Sequence, residues 1–259
     1  MEIHFWKYQG TGNDFIMLDG RTTGYDSLSS EKIRYLCHRR FGIGADGLIV
    51  LEPSNEADFY MRYYNSDGRI STMCGNGGRC ITRFAHDLGI IRDSYSFEAI
   101  DGPHESFIAD DLVHLRMGDV NQVQDLGNGG FFIDTGSPHF VKWQEELKDG
   151  SILEDAQLVR YSDTYRQEGV NVNFVSGSGN VLKMRTYERG VEDETLSCGT
   201  GVTAAALVAS YLGKLSKNRA EVKTPGGILQ LKFVRSEEGF SDIWLTGPAS
   251  YVFEGQILI

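Results

Sequence analysis

The stretch MRYYNSDGRISTMCGNGGRC, residues 61–80, sets a cysteine directly before Gly-Asn-Gly, where little side-chain bulk shields it. A structural cysteine favours apolar company. Cys74 stands instead where backbone is thin and amides are accessible. A second stretch, MRTYERGVEDETLSCGTG at 184–201, places Cys198 in the same way. Laid over each other, the two regions keep one order. MRYYN at 61–65 returns as MRTYE 123 positions on, and CGNG at 74–77 returns as CGTG 124 positions on. The Leu-Gly of 88–89 matches that of 212–213, again 124 positions on. Upstream, GNDFI at 12–16 resembles GSPHFV at 136–141; downstream, FEAIDG ending at Gly102 parallels VKTPGG ending at Gly227. Five anchors at nearly constant spacing read as two homologous lobes of about 120 residues, much longer than solenoid repeats.

Each lobe has the same grammar. DFYMRYYN and NVLKMRTYE mix β-branched and aromatic residues with partial alternation, the pattern of a strand. A glycine-containing turn follows, then the cysteine, then a helix. Ile81, Phe84, Ala85 and Leu88 form the stripe of an amphipathic helix. VTAAALVASYLG is apolar on nearly all sides, so the second helix is expected to be buried. Gly89 and Gly213 are placed as helix stops. GLIVLEP, HLRMG, VNVNFV, EVKT, ILQLKFV and DIWLTG supply further strands. The expected fold is α+β: two pseudo-symmetric lobes, each a mixed sheet wrapped around a central helix, with the functional site in the interlobe cleft. The expected lobes are residues 1–118, joined by a returning C-terminal strand at 249–259, and residues 119–248.

Bulk composition narrows the function. The chain has 259 residues, 41% hydrophobic and 24% charged, with 31 glycines and 5 prolines. This suits one large domain or two modest ones and argues against disorder. A net charge of −11 repels phosphate backbones, so nucleic acid is not an expected partner. No apolar run is long enough for a membrane span. MEIHFWKYQG lacks the apolar segment of a secretory signal, and a cytoplasmic location is expected. The four cysteines, Cys37, Cys74, Cys80 and Cys198, form no C-x-x-C pair and read as thiols in a reducing compartment. Cys37 and Cys80 have no duplicate partner and read as structural.

A cysteine at the start of a helix gains from the free N–H groups there, which carry roughly half a positive charge. That field stabilises a thiolate, and the same amides can grip a carboxylate. Two such cysteines at equivalent places in duplicated lobes narrow the chemistry. Related by a pseudo-twofold, the helix ends can face each other across a cleft, with one sulfur on each side of a substrate carbon. One thiolate removes the α-proton and the opposite thiol delivers another. The helix-end amides stabilise the developing charge through the substrate carboxylate.

GTGNDFI, GIGADG, MRYYNSDG…MCGNGGRC, TGSPHFV, NVNFV and YERG…ETLSCGTG together make the whole chain resemble the diaminopimelate epimerase family. The resemblance implies reversible interconversion of LL- and meso-diaminopimelate, on the path to lysine and peptidoglycan, without pyridoxal phosphate or any other cofactor, and without metal. It also implies a two-lobed chain, commonly a homodimer. By the same resemblance Cys74 and Cys198 match the acid/base pair. Gly75 and Asn76, with Gly199 and Thr200, match the cradle of the reacting carboxylate. Asn13, Asn65 and Asn171 match substrate-binding asparagines. Glu188 and Arg189 match the pair that holds the substrate's ammonium and carboxylate groups; a guanidinium fork suits a carboxylate. His139 and Glu188 match positions that tune the cysteines. The chain departs from the pattern at Gly47, where some members have Gln, and at Ser137, where many have Asn. Its Glu188-to-Cys198 loop is also one residue longer than in many members.

Other readings have sequence marks of their own. GIGADG at 42–47 fits G-x-G-x-x-G, but a helix-like segment precedes it and a strand-like one follows, the reverse of a dinucleotide site. No histidine pair or Cys/His cluster has zinc spacing. A proline or hydroxyproline racemase shares the two-lobe plan but usually has His after Cys-Gly, where this chain has Asn76. A non-catalytic amino-acid binder would be expected to have lost a cysteine.

Overall fold

The computed structural model describes residues 2–22, 24–25 and 27–259. The chain divides into two compact units, Met1–Leu115 with Gly247–Ile259, and Arg116–Thr246. In chain order the elements through the first unit are β1 (Glu2–Gly10), β2 (Asn13–Asp19), α1 (Ser30–Cys37), β3 (Gly47–Glu52), β4 (Phe59–Asn65), β5 (Ile70–Ser71), α2 (Gly75–Asp87), β6 (Tyr95–Ala99), β7 (Gly102–Ala109) and β8 (Leu112–Met117). Those of the second are β9 (Gln124–Gly127), β10 (Gly130–Asp134), β11 (Pro138–Trp143), α3 (Leu153–Arg160), β12 (Asn171–Ser178), β13 (Val181–Glu188), β14 (Asp193–Thr195), α4 (Gly199–Tyr211), β15 (Arg219–Thr224), β16 (Gly227–Ser236) and β17 (Gly239–Gly247). A final strand, β18 (Ser250–Leu258), returns to pair antiparallel with β1.

The sheets have one topology, used twice. In the first unit the pairing runs β18–β1–β2–β3–β4–β6–β7–β8, antiparallel except for β2/β3 and β4/β6. In the second it runs β9–β10–β11–β12–β13–β15–β16–β17, antiparallel except for β11/β12 and β13/β15. Parallel neighbours need a crossover. α1 and α2 supply the two in the first unit, α3 and α4 the two in the second. The short strands β5 and β14 hang antiparallel on β4 and β13 at matching places. The fold is α+β, and its repeat extends to individual strand pairs.

Each central helix is enclosed by its own sheet. α2 packs on β1, β2, β3 and β7; α4 touches β10, β11, β12, β13, β15 and β16. Val202 and Ala204–Ala209 of α4 are fully buried around the whole circumference, as expected for a helix with no polar face. α2 is amphipathic, with Ile81, Phe84 and Ala85 inside. Both helices end alike. Gly89 and Gly213 take positive φ, and the following amides reach back from Ile90 to the Ala85 carbonyl and from Lys214 to that of Ala209. This is a Schellman closure, which needs a left-handed residue that glycine adopts without a Cβ penalty. The helix α3 was not foreseen. Only Ala156 of it is buried, against Val170, Val172 and Tyr187, so its sequence carries no stripe to read.

Candidate active site

Strand β4 delivers the chain through a turn to Cys74, and β13 delivers it through β14 to Cys198. Each cysteine is the N-cap of its helix, with extended backbone. The amides of a first helical turn have no acceptor inside the helix, so each sulfur sits beside donors that the helix itself does not use. Cys74 Sγ accepts from the Gly77 amide at 3.2 Å. Cys198 Sγ lies 3.4 Å from Thr200 Oγ1. Glycine as the third residue after each cysteine keeps the space beside the sulfur open. A Cβ on Gly77 would stand 3.1 Å from Cys74 Sγ, and one on Gly201 would stand 3.3 Å from Cys198 Sγ. Contacts that close press on the sulfur. The other two thiols are of a different kind. Cys37 and Cys80 are buried, and burial pushes both up to about 12, out of reach of acid/base work near neutrality.

In the first unit a directed chain of side chains surrounds Cys74. Arg79, one turn into α2, is fully buried. It donates to the Asn76 Oδ1 at 2.9 Å, to the Gly75 carbonyl at 3.0 Å, and to Thr11 Oγ1 and the Pro248 carbonyl at 3.3 Å each. With Oδ1 held, Asn76 turns its amino group to Asn13 Oδ1 at 3.2 Å, and Asn13 Nδ2 donates to Asp46 at 2.8 Å. Arg39 bridges Asp46 and Asp14, and Lys7 joins Asp14. Burial would raise the Asp14 carboxyl, but the Arg39 and Lys7 cations outweigh it and hold it at about 2. Asn65 closes β4, exposed, opposite Gly47. Gly47 has no room for a side chain: a Cβ there would lie 2.6 Å from Tyr63 Cε2.

In the second unit the centre is His139 on β11, fully buried. Its Nε2 is 2.9 Å from Thr200 Oγ1 and its Nδ1 is 3.0 Å from Asn173 Nδ2. Burial, with the Arg189 charge adding, pushes His139 down to about 3. Asn171 begins β12 beside His139 and holds three partners: it donates to Ser137 Oγ at 2.9 Å and the Pro138 carbonyl at 3.2 Å, and it accepts from the Arg189 amide at 2.9 Å. Ser137 thus supplies a hydroxyl to Asn171. Glu188 is the last residue of β13, and Arg189 is exposed, donating to the Glu168 carbonyl at 3.1 Å.

The two clusters therefore gather most of the residues singled out in the sequence: Cys74, Gly75, Asn76 and Asn13 in one, Cys198, Gly199, Thr200 and His139 in the other. Asn65, Asn171, Glu188 and Arg189 stand at strand ends around them. Sequence reasoning missed Arg79 and Asn173. Asn173 had a signal: two residues after Asn171 in a strand, it shares that residue's face. Among the described residues, no three His, Cys, Asp or Glu side chains converge as a metal site.

A neutral buried histidine has a measurable cost in acid. The unfolded chain binds a proton on this imidazole below about 6.5 while the folded chain does so only near 3, so stability contributed here falls as pH drops below 6.5. Between about pH 7.5 and 5 the expected loss is about 2 kcal/mol. A His139→Gln variant should lack that slope in urea unfolding; parallel slopes for both proteins would show the imidazole is charged in the fold.

Solved structures with this fold are the Bacillus anthracis phenazine biosynthesis protein of the PhzF family, at TM-score 0.77 and 16% identity over 100% of both chains, and the hydroxyproline epimerase from Agrobacterium vitis, at TM-score 0.63 and 14% identity over 99% of this chain and 91% of the other. The chain thus has the two-lobe fold of these proteins. The family model for diaminopimelate epimerase matches it twice, at residues 5–123 and 131–252. Named diaminopimelate epimerases are similar along the whole chain. That of Flavobacterium psychrophilum is 48% identical over 98% of this chain and 100% of its own length, and that of Chlorobaculum tepidum 42% identical over 96% and 99%. The chain belongs to the diaminopimelate epimerase family, whose reaction class is isomerisation.

Proposed function

We propose that the protein interconverts LL- and meso-diaminopimelate by a two-thiol reaction without cofactor or metal. One observation carries it: in each unit the same helix begins at a cysteine whose sulfur lies over a glycine-thinned first turn. In the proposed reaction Cys74 and Cys198 flank the substrate α-carbon from opposite sides. A thiolate takes the α-proton, and the C–H electron pair stays on carbon, spread into the carboxylate. The opposite S–H bond then breaks and its proton joins the other face of that carbon. Nothing is oxidised or reduced, and thiol and thiolate have exchanged places. The amides of Gly75, Asn76, Gly199 and Thr200 hold the reacting carboxylate, where donors fixed in advance favour the charge that develops. Asn13, Asn65 and Asn171 bind the rest of the substrate, and Glu188 with Arg189 grips its distal ammonium and carboxylate. His139 and Glu188 tune the sulfurs.

Incubation with LL-diaminopimelate in heavy water tests this. Deuterium should enter at the α-carbon as the meso isomer forms. Exchange with proline and none with diaminopimelate would make the protein a racemase of the hydroxyproline type instead. We place the reaction in the cytoplasm, where thiols stay reduced; no helix among the described residues is long and apolar enough to cross a membrane. A homodimer fits the surface of β18. Tyr251, Val252 and Phe253 are consecutive, so they point to both faces of the strand, yet each is close to half exposed. A sedimentation mass of 28.9 kDa, that of one chain, would overturn the dimer.

A further inference from the structure

We infer that Asn173, through the tautomer it imposes on His139, turns the Thr200 hydroxyl into a hydrogen-bond donor toward Cys198 and so favours its thiolate. Asn173 is fully buried in β12, in register with Thr186 of β13. The Thr186 hydroxyl donates to Asn173 Oδ1 at 2.9 Å. At the other end of the amide, Nδ2 donates to the Phe140 carbonyl at 3.2 Å and to His139 Nδ1 at 3.0 Å. A flipped amide would set its oxygen against the Phe140 and Asn171 carbonyls, both acceptors only, so the orientation is fixed. His139 Nδ1 is therefore an acceptor. The buried imidazole is neutral, with the Arg189 cation acting against a second proton, and its one proton sits on Nε2. It donates to Thr200 Oγ1 at 2.9 Å. The hydroxyl's own proton then points away from His139, and Cys198 Sγ at 3.4 Å receives it. Every link runs in one direction, from strand interior to sulfur.

The repeat shows that the fold alone does not ask for this asparagine. In the first unit, Ile49 of β3 pairs with Tyr63 of β4 as Asn173 pairs with Thr186. A Cβ on Gly77 would meet Ile49 at 3.2 Å, where one on Gly201 would meet Asn173 Oδ1 at 2.6 Å. The same niche beneath the cysteine-bearing turn holds an aliphatic side chain in one unit and a hydrogen-bonding one in the other. Cys74 takes a backbone amide from Gly77; Cys198 takes its donor from the relay. Asn173 is a positioning residue, acting through His139 and Thr200.

The inference rests on the proposed reaction only for giving Cys198 a task; the thiolate is measured without turnover. The experiment is alkylation of the intact chain by iodoacetamide near neutral pH, with Cys198 and Cys74 followed separately by peptide mass spectrometry. Asn173→Asp replaces the donor by a carboxylate that accepts from Nδ1–H. The tautomer reverses, and Thr200 then donates to a bare Nε2. Alkylation of Cys198 should fall about three- to tenfold, because lost thiolate is offset in part by higher intrinsic nucleophilicity. Thr200→Val should give a similar fall, Thr200→Ser should restore most of the rate, and Cys74 should be unchanged in all three. Wild-type alkylation of Cys198 in folded Asn173→Asp or in Thr200→Val would overturn the relay. Should Asn173→Asp not fold, the valine and serine pair decides. Normal alkylation with no deuterium exchange would instead count against the epimerase reading alone.

Discussion

Cys74→Ala and Cys198→Ala are each expected to lower epimerisation about 10³-fold, within the range that positioned proton transfer contributes, while leaving the fold intact. Alanine removes only one sulfur atom at each place: Cys74 is half-buried, and Cys198, though buried, sits at a helix start beside two glycines. The two variants should also differ in a way a structural role would not produce. On the two-thiol reaction each retains one base. Cys198→Ala can still take the α-proton of whichever isomer presents it to Cys74, and return a deuteron to the same face. That isomer should exchange in heavy water without inverting, and the other should be inert. Cys74→Ala should show the opposite preference. Equal loss of exchange with both isomers in both variants, or inversion retained by either, would sink the paired assignment. Nuclear magnetic resonance of the α-position, run separately on LL- and meso-diaminopimelate, distinguishes these outcomes.

How much of this could be read from residues depends on where each signal lies. The cysteine-capped helices were legible because three local cues coincide at each: a strand with alternating residues before, glycines at the first turn, and an apolar run ending in glycine. Duplication added an independent check, since each cue recurs about 124 positions away. The N-terminal β1 and the strands β9 to β11 were not individually legible as elements of the two sheets; QDLG of β9, for instance, is exposed throughout and has no alternation of burial to report. Arg79 was passed over for another reason. An arginine in a helix ordinarily snorkels to solvent, and nothing local in GNGGRC says that Thr11 and Pro248, far away in sequence, will close over it. Asn173 was readable as sharing a face with Asn171, but its role depends on Thr186 and His139 meeting it from two other strands. Local pattern gave the elements that carry the sulfurs; the groups that orient them are tertiary.

Arg79→Met is expected to change stability by less than about 2 kcal/mol while reducing kcat/KM about 10²-fold. Two opposed terms decide the first figure. Burial pushes the guanidinium down to about 10, from an ordinary 12.5, so the folded chain carries a cost of roughly 3 kcal/mol for holding this cation out of water. Methionine of similar reach removes that cost. It takes a donor from the Asn76 Oδ1 and from the Gly75 and Pro248 carbonyls; the Gly75 carbonyl keeps its place in the helix ladder, the other two are each worth about 1–3 kcal/mol when buried, and the Thr11 hydroxyl can turn. The terms nearly cancel. For activity they do not. Arg79 fixes which end of the Asn76 amide faces Asn13, and Asn13 in turn is aligned on Asp46. The Arg79 charge lies within electrostatic reach of Cys80 and Cys74. Removing the cation releases the amide chain and withdraws a positive charge from near the Cys74 sulfur. A polar residue whose burial costs as much as it contributes is retained for orientation, and the split between urea midpoint and kcat/KM measures that. A destabilisation beyond about 4 kcal/mol, of the size seen when a buried network is broken, would make Arg79 a structural residue, and an unchanged kcat/KM would remove it from the site altogether.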